Sequence, residues 1–142
     1  MINYIGNESE IRGRADILFL YPGGGMETYF LVEAKRLFVA SKNGKIDKLT
    51  GKYMDEGMMR FVAGQYASKM FSGALLGYVF EKQVEEAKAA LKAAITGKRV
   101  KLKIVEHGDW QESSIPVSPS VNETRHECLQ GTFTLFHLLT KV

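Results

Sequence analysis

The sequence predicts an α/β domain with a central mixed sheet flanked by helices, on three observations. Two short apolar runs, Ile17 to Tyr21 and Tyr29 to Val32, flank the turn-forming stretch Pro22-Gly23-Gly24-Gly25, which reads as an antiparallel hairpin. A strand-like run at Ala74 to Phe80, an amphipathic stretch at Glu81 to Thr96 and an alternating run at Arg99 to Val105 read as strand, helix, strand, a crossover that joins parallel strands. A last alternating run, Gly131 to Thr140, puts Phe133, Leu135, His137 and Leu139 on one face. With 142 residues and 45% hydrophobic content, a single domain over residues 1–142 with its own core is expected.

The hairpin carries charge where a strand is normally apolar. Asp16 stands immediately before the first run, and the second ends at Glu33, followed by Ala34 and Lys35. Antiparallel pairing returns the end of the second strand to the start of the first, so Asp16 and Glu33 are expected to meet. Alternate residues share a face, so Glu33 and Lys35 are expected to point together, with Ala34 turned into the packing. An ionised group facing a core is costly unless it is paired or binds a metal. Two carboxylates suit Mg²⁺, which keeps several waters and takes one or two acids from protein. Lys35 is suited to polarising a metal-bound water or steadying a phosphate. The alternative reading of the three residues is a cross-strand salt bridge.

Asp16 with Glu33-Ala34-Lys35 resembles the PD-(D/E)xK nuclease superfamily, whose domains have the restriction-endonuclease-like fold. The resemblance spans roughly residues 10–105: an aspartate strand, a close turn, a Glu-x-Lys strand, then a helix and a strand. Two departures are Ala15, where proline is usual, and the little chain before Arg12 for an N-terminal helix; residues 1–10 or a partner chain would cover that face. The resemblance implies a nuclease that hydrolyses phosphodiester bonds with Mg²⁺ or Mn²⁺, with DNA as the expected substrate. It implies a metal held by Asp16, Glu33 and the backbone carbonyl of Ala34, with Glu10 as a further ligand and Lys35 as a catalytic residue. Gln65 matches the glutamine of a Gln-x-x-x-Tyr motif found in some of these nucleases and joins the catalytic set, although the fourth residue on is Lys69 and Tyr66 comes too early.

Between Arg36 and Gly57 the chain is polar and aperiodic, with Lys42, Lys45, Lys48 and Lys52 spread around a tight turn at Asn43-Gly44. An exposed loop is expected, its lysines either contacting a nucleic-acid backbone or serving solubility. A helix is expected from Met58 to Ser72, capped by Asp55, stopped by Gly73 and buried along Met59, Val62, Tyr66 and Met70. In the 99–105 run, Val100, Leu102 and Ile104 are expected inward, with Arg99, Lys101 and Lys103 protecting an edge. Glu106 to Thr124 reads as a loop in which Trp110 caps the core. His107, His126, Cys128 and His137 lack zinc spacing apart from His126-x-Cys128; His126, which follows Arg125, is expected to be a structural histidine rather than a phosphate contact.

A net charge of +3 permits nucleic-acid binding without demanding it. The lone Cys128 excludes an internal disulfide framework, no apolar run reaches the length of a membrane span, and polar residues near Met1 argue against a signal peptide. A cytoplasmic protein with no membrane partner is expected, working as a homodimer that offers two sites to two antiparallel strands. Two other classes remain: a nucleic-acid-binding module without turnover, and a structural or regulatory protein in which the triad is a salt-bridge cluster.

Overall fold

Strict alternation of burial organises the molecule. Tyr29, Leu31, Glu33 and Leu37 are buried on one strand, Gly73, Leu75, Gly77 and Val79 on a second, and Phe133, Leu135, His137 and Leu139 on a third, so the three strands share one inner face. The structure is a computed structural model that describes residues 16–20, 29–67, 69–113, 115 and 121–142. Its strands are β1 (Ile17–Leu20), β2 (Tyr29–Leu37), β3 (Val39–Ala40), β4 (Ile46–Asp47), β5 (Ser72–Val79), β6 (Gln111–Glu112), β7 (Asn122–Cys128) and β8 (Gly131–Lys141). Six form one sheet in the order β1-β2-β5-β8-β7-β6, while β3 and β4 form a separate ribbon. The sheet is mixed: β2, β5 and β8 run parallel, and β1, β7 and β6 are antiparallel to their neighbours.

Helical segments cover the inner face. The first runs through α1 (Thr50–Lys52), a π-helical turn (Tyr53–Met58) and α2 (Met59–Val62); the second is α3 (Val84–Gly97). Buried residues of the first segment fall at Tyr53, Met54, Gly57, Met58, Phe61 and Val62, a spacing of four that matches the wider π turn rather than the 3.6 of a regular helix. That phase explains why the predicted helix from Met58 to Ser72 is displaced. The observed one begins at Thr50, where Leu49 takes a left-handed conformation (φ 61°), and ends at Val62, with Ala63 as its C-cap and Gly64 (φ 75°) as the left-handed residue that follows. Asp55 is not a cap: it lies inside the π turn and pairs with Lys101 at 2.7 Å. Gly57 lets this turn sit on the sheet, since a Cβ there would come 2.5 Å from Cδ2 of Leu75.

The loop expected from Arg36 to Gly57 is ordered differently. β2 continues past Glu33 to Leu37, Phe38 (φ 55°) turns the chain out of the sheet, and β3 and β4 follow as a hairpin. Ser41 N–H donates to Lys45 O at 2.7 Å and Gly44 takes φ 81°, so the Asn43-Gly44 turn is present as a three-residue loop. The strand expected at Arg99 to Val105 is absent from these described residues. Lys98 to Lys103 form successive turns, Lys103 has φ 52°, and Ile104 alone bridges to His126. Leu102 and Ile104 are buried, but Val100 is 87% exposed; the parallel partner that follows α3 is β8. The loop predicted over Glu106 to Thr124 contains β6 and the start of β7. The turn at Pro22 to Gly25 and the segment up to Ala15 lie outside the described residues.

Among the described residues the opposite sheet face carries no helix. Phe19, Tyr78 and Leu138 are exposed on it. No helix among the described residues is long and apolar enough to cross a membrane.

Candidate active site

Pairing of β1 with β2 sets Ile17 opposite Val32, so Asp16, one residue earlier, arrives beside Glu33 and Ala34. Its Oδ2 accepts the Ala34 N–H at 2.8 Å. The N–H and C=O of one residue in an extended strand face the same side, so the Ala34 carbonyl also turns toward the Asp16 edge. Glu33 and Lys35 point to the same face, the inner one under the π turn. Ala34 therefore belongs to the outer face and not to the main packing, a correction forced by the burial of Leu31 and Leu37 in phase with Glu33.

Glu33 is only 3% exposed. Its Oε1 receives Lys35 Nζ at 3.2 Å and Arg60 Nη1 at 3.2 Å, whereas its buried Oε2 has no partner among the described residues. Burial raises the Glu33 pKa above the ordinary 4.5, and the Asp16 charge raises it further against the opposing pull of Lys35 and Arg60. A buried acid with one oxygen unsatisfied and a second acid beside it is the donor set that a hard divalent cation fits. Asp16, Glu33 and the Ala34 carbonyl would hold it. No group of three or more His, Cys, Asp or Glu side chains suited to a metal occurs among the described residues, so any such ion would rely on two acids, a backbone carbonyl and water. Glu10 lies outside the described residues.

Lys35 opens onto a cleft of about 400 Å³ whose walls include Ala34, Arg36, Asp47, Lys52 and Glu56. Lys52, exposed on α1, is the member of the predicted lysine set that reaches this cleft; Lys42 and Lys45 lie in the β3-β4 hairpin and Lys48 just after it, all exposed. Gln65 is exposed on a bend beyond the helix end. Arg60, which the sequence did not single out, and Tyr66, expected only as a core residue, stand beside Glu33. Arg60 Nη1 donates both to Glu33 and, at 2.9 Å, to the hydroxyl of buried Tyr66, whose ring centroid lies 5.7 Å from the guanidinium carbon. Burial and the nearby Glu33 charge raise the Tyr66 pKa, so its hydroxyl stays protonated.

His126 and His137 are structural, whereas His107 is exposed beside Glu106. His126 Nδ1 lies 2.6 Å from Leu102 O, its Nε2 lies 2.7 Å from Thr124 Oγ1, and that oxygen lies 2.9 Å from His137 Nε2, while His137 Nδ1 lies 2.7 Å from the Tyr53 hydroxyl. One assignment satisfies all four bonds with neutral rings. Tyr53 donates to His137, His137 to Thr124, Thr124 to His126 and His126 to the Leu102 carbonyl. Both His126 nitrogens are thus occupied, which removes the His126-x-Cys128 zinc pairing. Trp110 packs against the core with its ring 4.8 Å from that of His137.

Comparison with protein-family models, with curated proteins and with solved structures returns no match for this chain.

Proposed function

We propose that the protein is a metal-dependent nuclease of restriction-endonuclease-like fold that hydrolyses phosphodiester bonds, with DNA as its substrate. The observation that carries this reading is the unpartnered Oε2 of Glu33, buried beside Asp16. A salt-bridge cluster built for stability would satisfy both oxygens of its acid, because an unpaired buried acceptor costs roughly 1–3 kcal/mol. Chain order supports it too: an aspartate just before a strand, a Glu-x-Lys strand, a crossover that passes through a short hairpin and a helical segment, and a parallel strand follow one another.

Asp16, Glu33 and the Ala34 carbonyl would hold Mg²⁺ or Mn²⁺, which when bound supplies Lewis acidity toward a phosphoryl oxygen. Lys35, anchored by Glu33 and facing the cleft, positions the attacking water and offsets negative charge developing on the phosphate. Lys52 attracts the backbone along the same cleft, and Lys42, Lys45 and Lys48 extend that positive field without reading sequence. Incubation of labelled duplex DNA, single-stranded DNA and RNA with the protein and Mg²⁺ or Mn²⁺ tests the reading. Cleavage of DNA that is lost on chelation and in Asp16→Asn and Glu33→Gln is expected; intact substrates under every condition reject the enzyme.

The two ion pairs on Oε1 favour a second reading, a binding module in which Lys35 and Arg60 merely neutralise Glu33. DNA binding that persists on chelation, without cleavage, would distinguish it.

A further inference from the structure

We propose that Arg60 is a phosphate-binding residue of this site, held on Glu33 by one guanidinium nitrogen in the free protein and presenting its other donors to a phosphodiester once a cation takes up the Glu33 charge. The inference deepens the nuclease reading and rests on the cation site at Asp16 and Glu33.

Nη1 alone makes both bonds of Arg60, to Glu33 Oε1 at 3.2 Å and to the Tyr66 hydroxyl at 2.9 Å. Among the described residues, Nη2 and Nε make no hydrogen bond, and the side chain is 32% exposed. A guanidinium carries five donors in a flat fork, and an arginine placed only to neutralise a buried carboxylate would normally set that fork on both oxygens. Here a single nitrogen meets one oxygen, and the other oxygen has no partner among the described residues. The unused donors are the pair that matches two non-bridging oxygens of a phosphate.

Charge balance points the same way. Asp16 and Glu33 are matched by Lys35 and Arg60, which leaves the four-residue cluster neutral, with Glu56 also acting on Arg60. A divalent cation on the two acids makes the two bases surplus, and the cluster becomes a receptor for an anion. Lys35 is a compact point charge committed to Glu33 on its own strand, while Arg60 comes from the facing helix α2 with Tyr66 fixing its position. The guanidinium therefore needs to move little to present Nη2 and Nε to phosphate oxygens.

The test is titration of Mg²⁺ alone, and then of inorganic phosphate into the Mg²⁺-loaded protein, by calorimetry and by NMR of the arginine Nε–H signals, for wild type, Arg60→Lys and Arg60→Gln. Arg60→Lys keeps the charge and loses the fork. It is expected to bind Mg²⁺ within about 3-fold of wild type and phosphate at least about 10-fold more weakly, with the Arg60 Nε–H signal of wild type moving as phosphate binds. Arg60→Gln is expected to bind Mg²⁺ more tightly and phosphate as weakly as Arg60→Lys. Phosphate affinity unchanged in both variants, or an Arg60 signal that ignores phosphate, overturns the inference while cation binding and cleavage by wild type leave the nuclease reading standing. Wild type without Mg²⁺ affinity overturns both.

Discussion

The Tyr53 hydroxyl, in the π-helical turn, lies 2.7 Å from Nδ1 of His137 at the centre of the sheet. This bond ties the turn that covers Glu33 and Lys35 to β8, and it begins a chain of four buried bonds that ends at Leu102 O. Burial, with His126 nearby, lowers the His137 pKa to about 3, and burial lowers that of His126. Their ordinary value is 6.5, so between there and the folded value the unfolded chain binds more protons than the native one. Stability is therefore full above about pH 6.5 and falls as the solution is acidified; His137 alone accounts for roughly 4 kcal/mol by pH 3. Urea denaturation across this range should give a steadily falling midpoint, and a midpoint independent of pH between 7 and about 4 would contradict neutral buried rings.

Thr124 is the link between the two rings. Thr124→Val keeps the shape but leaves His126 Nε2 and the His137 Nε2–H unpaired, and a loss of about 2–4 kcal/mol is expected. Thermal unfolding measures it. A variant as stable as wild type would mean that the hydroxyl is not the bridge.

Glu33 has the opposite linkage sign. Its folded pKa is raised, so in the window just above 4.5 the native state binds the extra proton, and stability contributed by Glu33 decreases as pH rises through that window. Cation binding needs the ionised form. Mg²⁺ affinity is expected to fall on acidification at a pH above that of an ordinary glutamate, and Asp16→Asn should move this midpoint downward by removing the neighbouring charge. A midpoint at the ordinary glutamate value in both proteins would remove the electrostatic coupling of Asp16 to Glu33.

Lys35→Met keeps the aliphatic stem that lies near Gly57 and deletes the ammonium. Cleavage should fall by about 100-fold or more, with the melting temperature within a few degrees of wild type, because in the proposed reaction the charge acts on the transition state. Unfolding of this variant would instead mark Lys35 as a structural counter-ion of Glu33.

Neutralising Lys42, Lys45, Lys48 and Lys52 together should flatten the dependence of DNA affinity on salt, since each phosphate contact releases counterions. Anisotropy titrations over a salt series give the slope directly. An unchanged slope would exclude this segment from the interface.

Legibility in the sequence followed the regularity of the backbone. The antiparallel pairing of β1 with β2, α3 and the alternating Phe133, Leu135, His137 and Leu139 were readable because period 2 and period 3.6 hold there. Arg60 and Tyr66 were hidden by the π turn, whose spacing of four shifted the apparent helix downstream and left Tyr66 looking like part of a buried helical stripe. The apolar pairs Tyr53-Met54, Met58 and Phe61-Val62 carried the true phase, obscured by Gly51 and Gly57. Leu102 and Ile104 alternate with lysines as a strand would, yet the left-handed Lys103 makes them a turn, something apolar spacing does not report. The pairing of Glu33 with Lys35 was legible from strand alternation alone. Which face they shared was not, because charge had argued for the outside and the register with Leu75 and His137 put them inside.

Titration of Mn²⁺ into wild type and Glu33→Gln at neutral pH, read by calorimetry together with the loss of the free-ion paramagnetic signal, interrogates the proposed cation site without requiring a substrate. One ion bound per chain in wild type, weakened at least about 10-fold in Glu33→Gln while that variant stays folded, is the predicted result. No binding to wild type, or equal binding by both proteins, would contradict a cation held at Asp16 and Glu33.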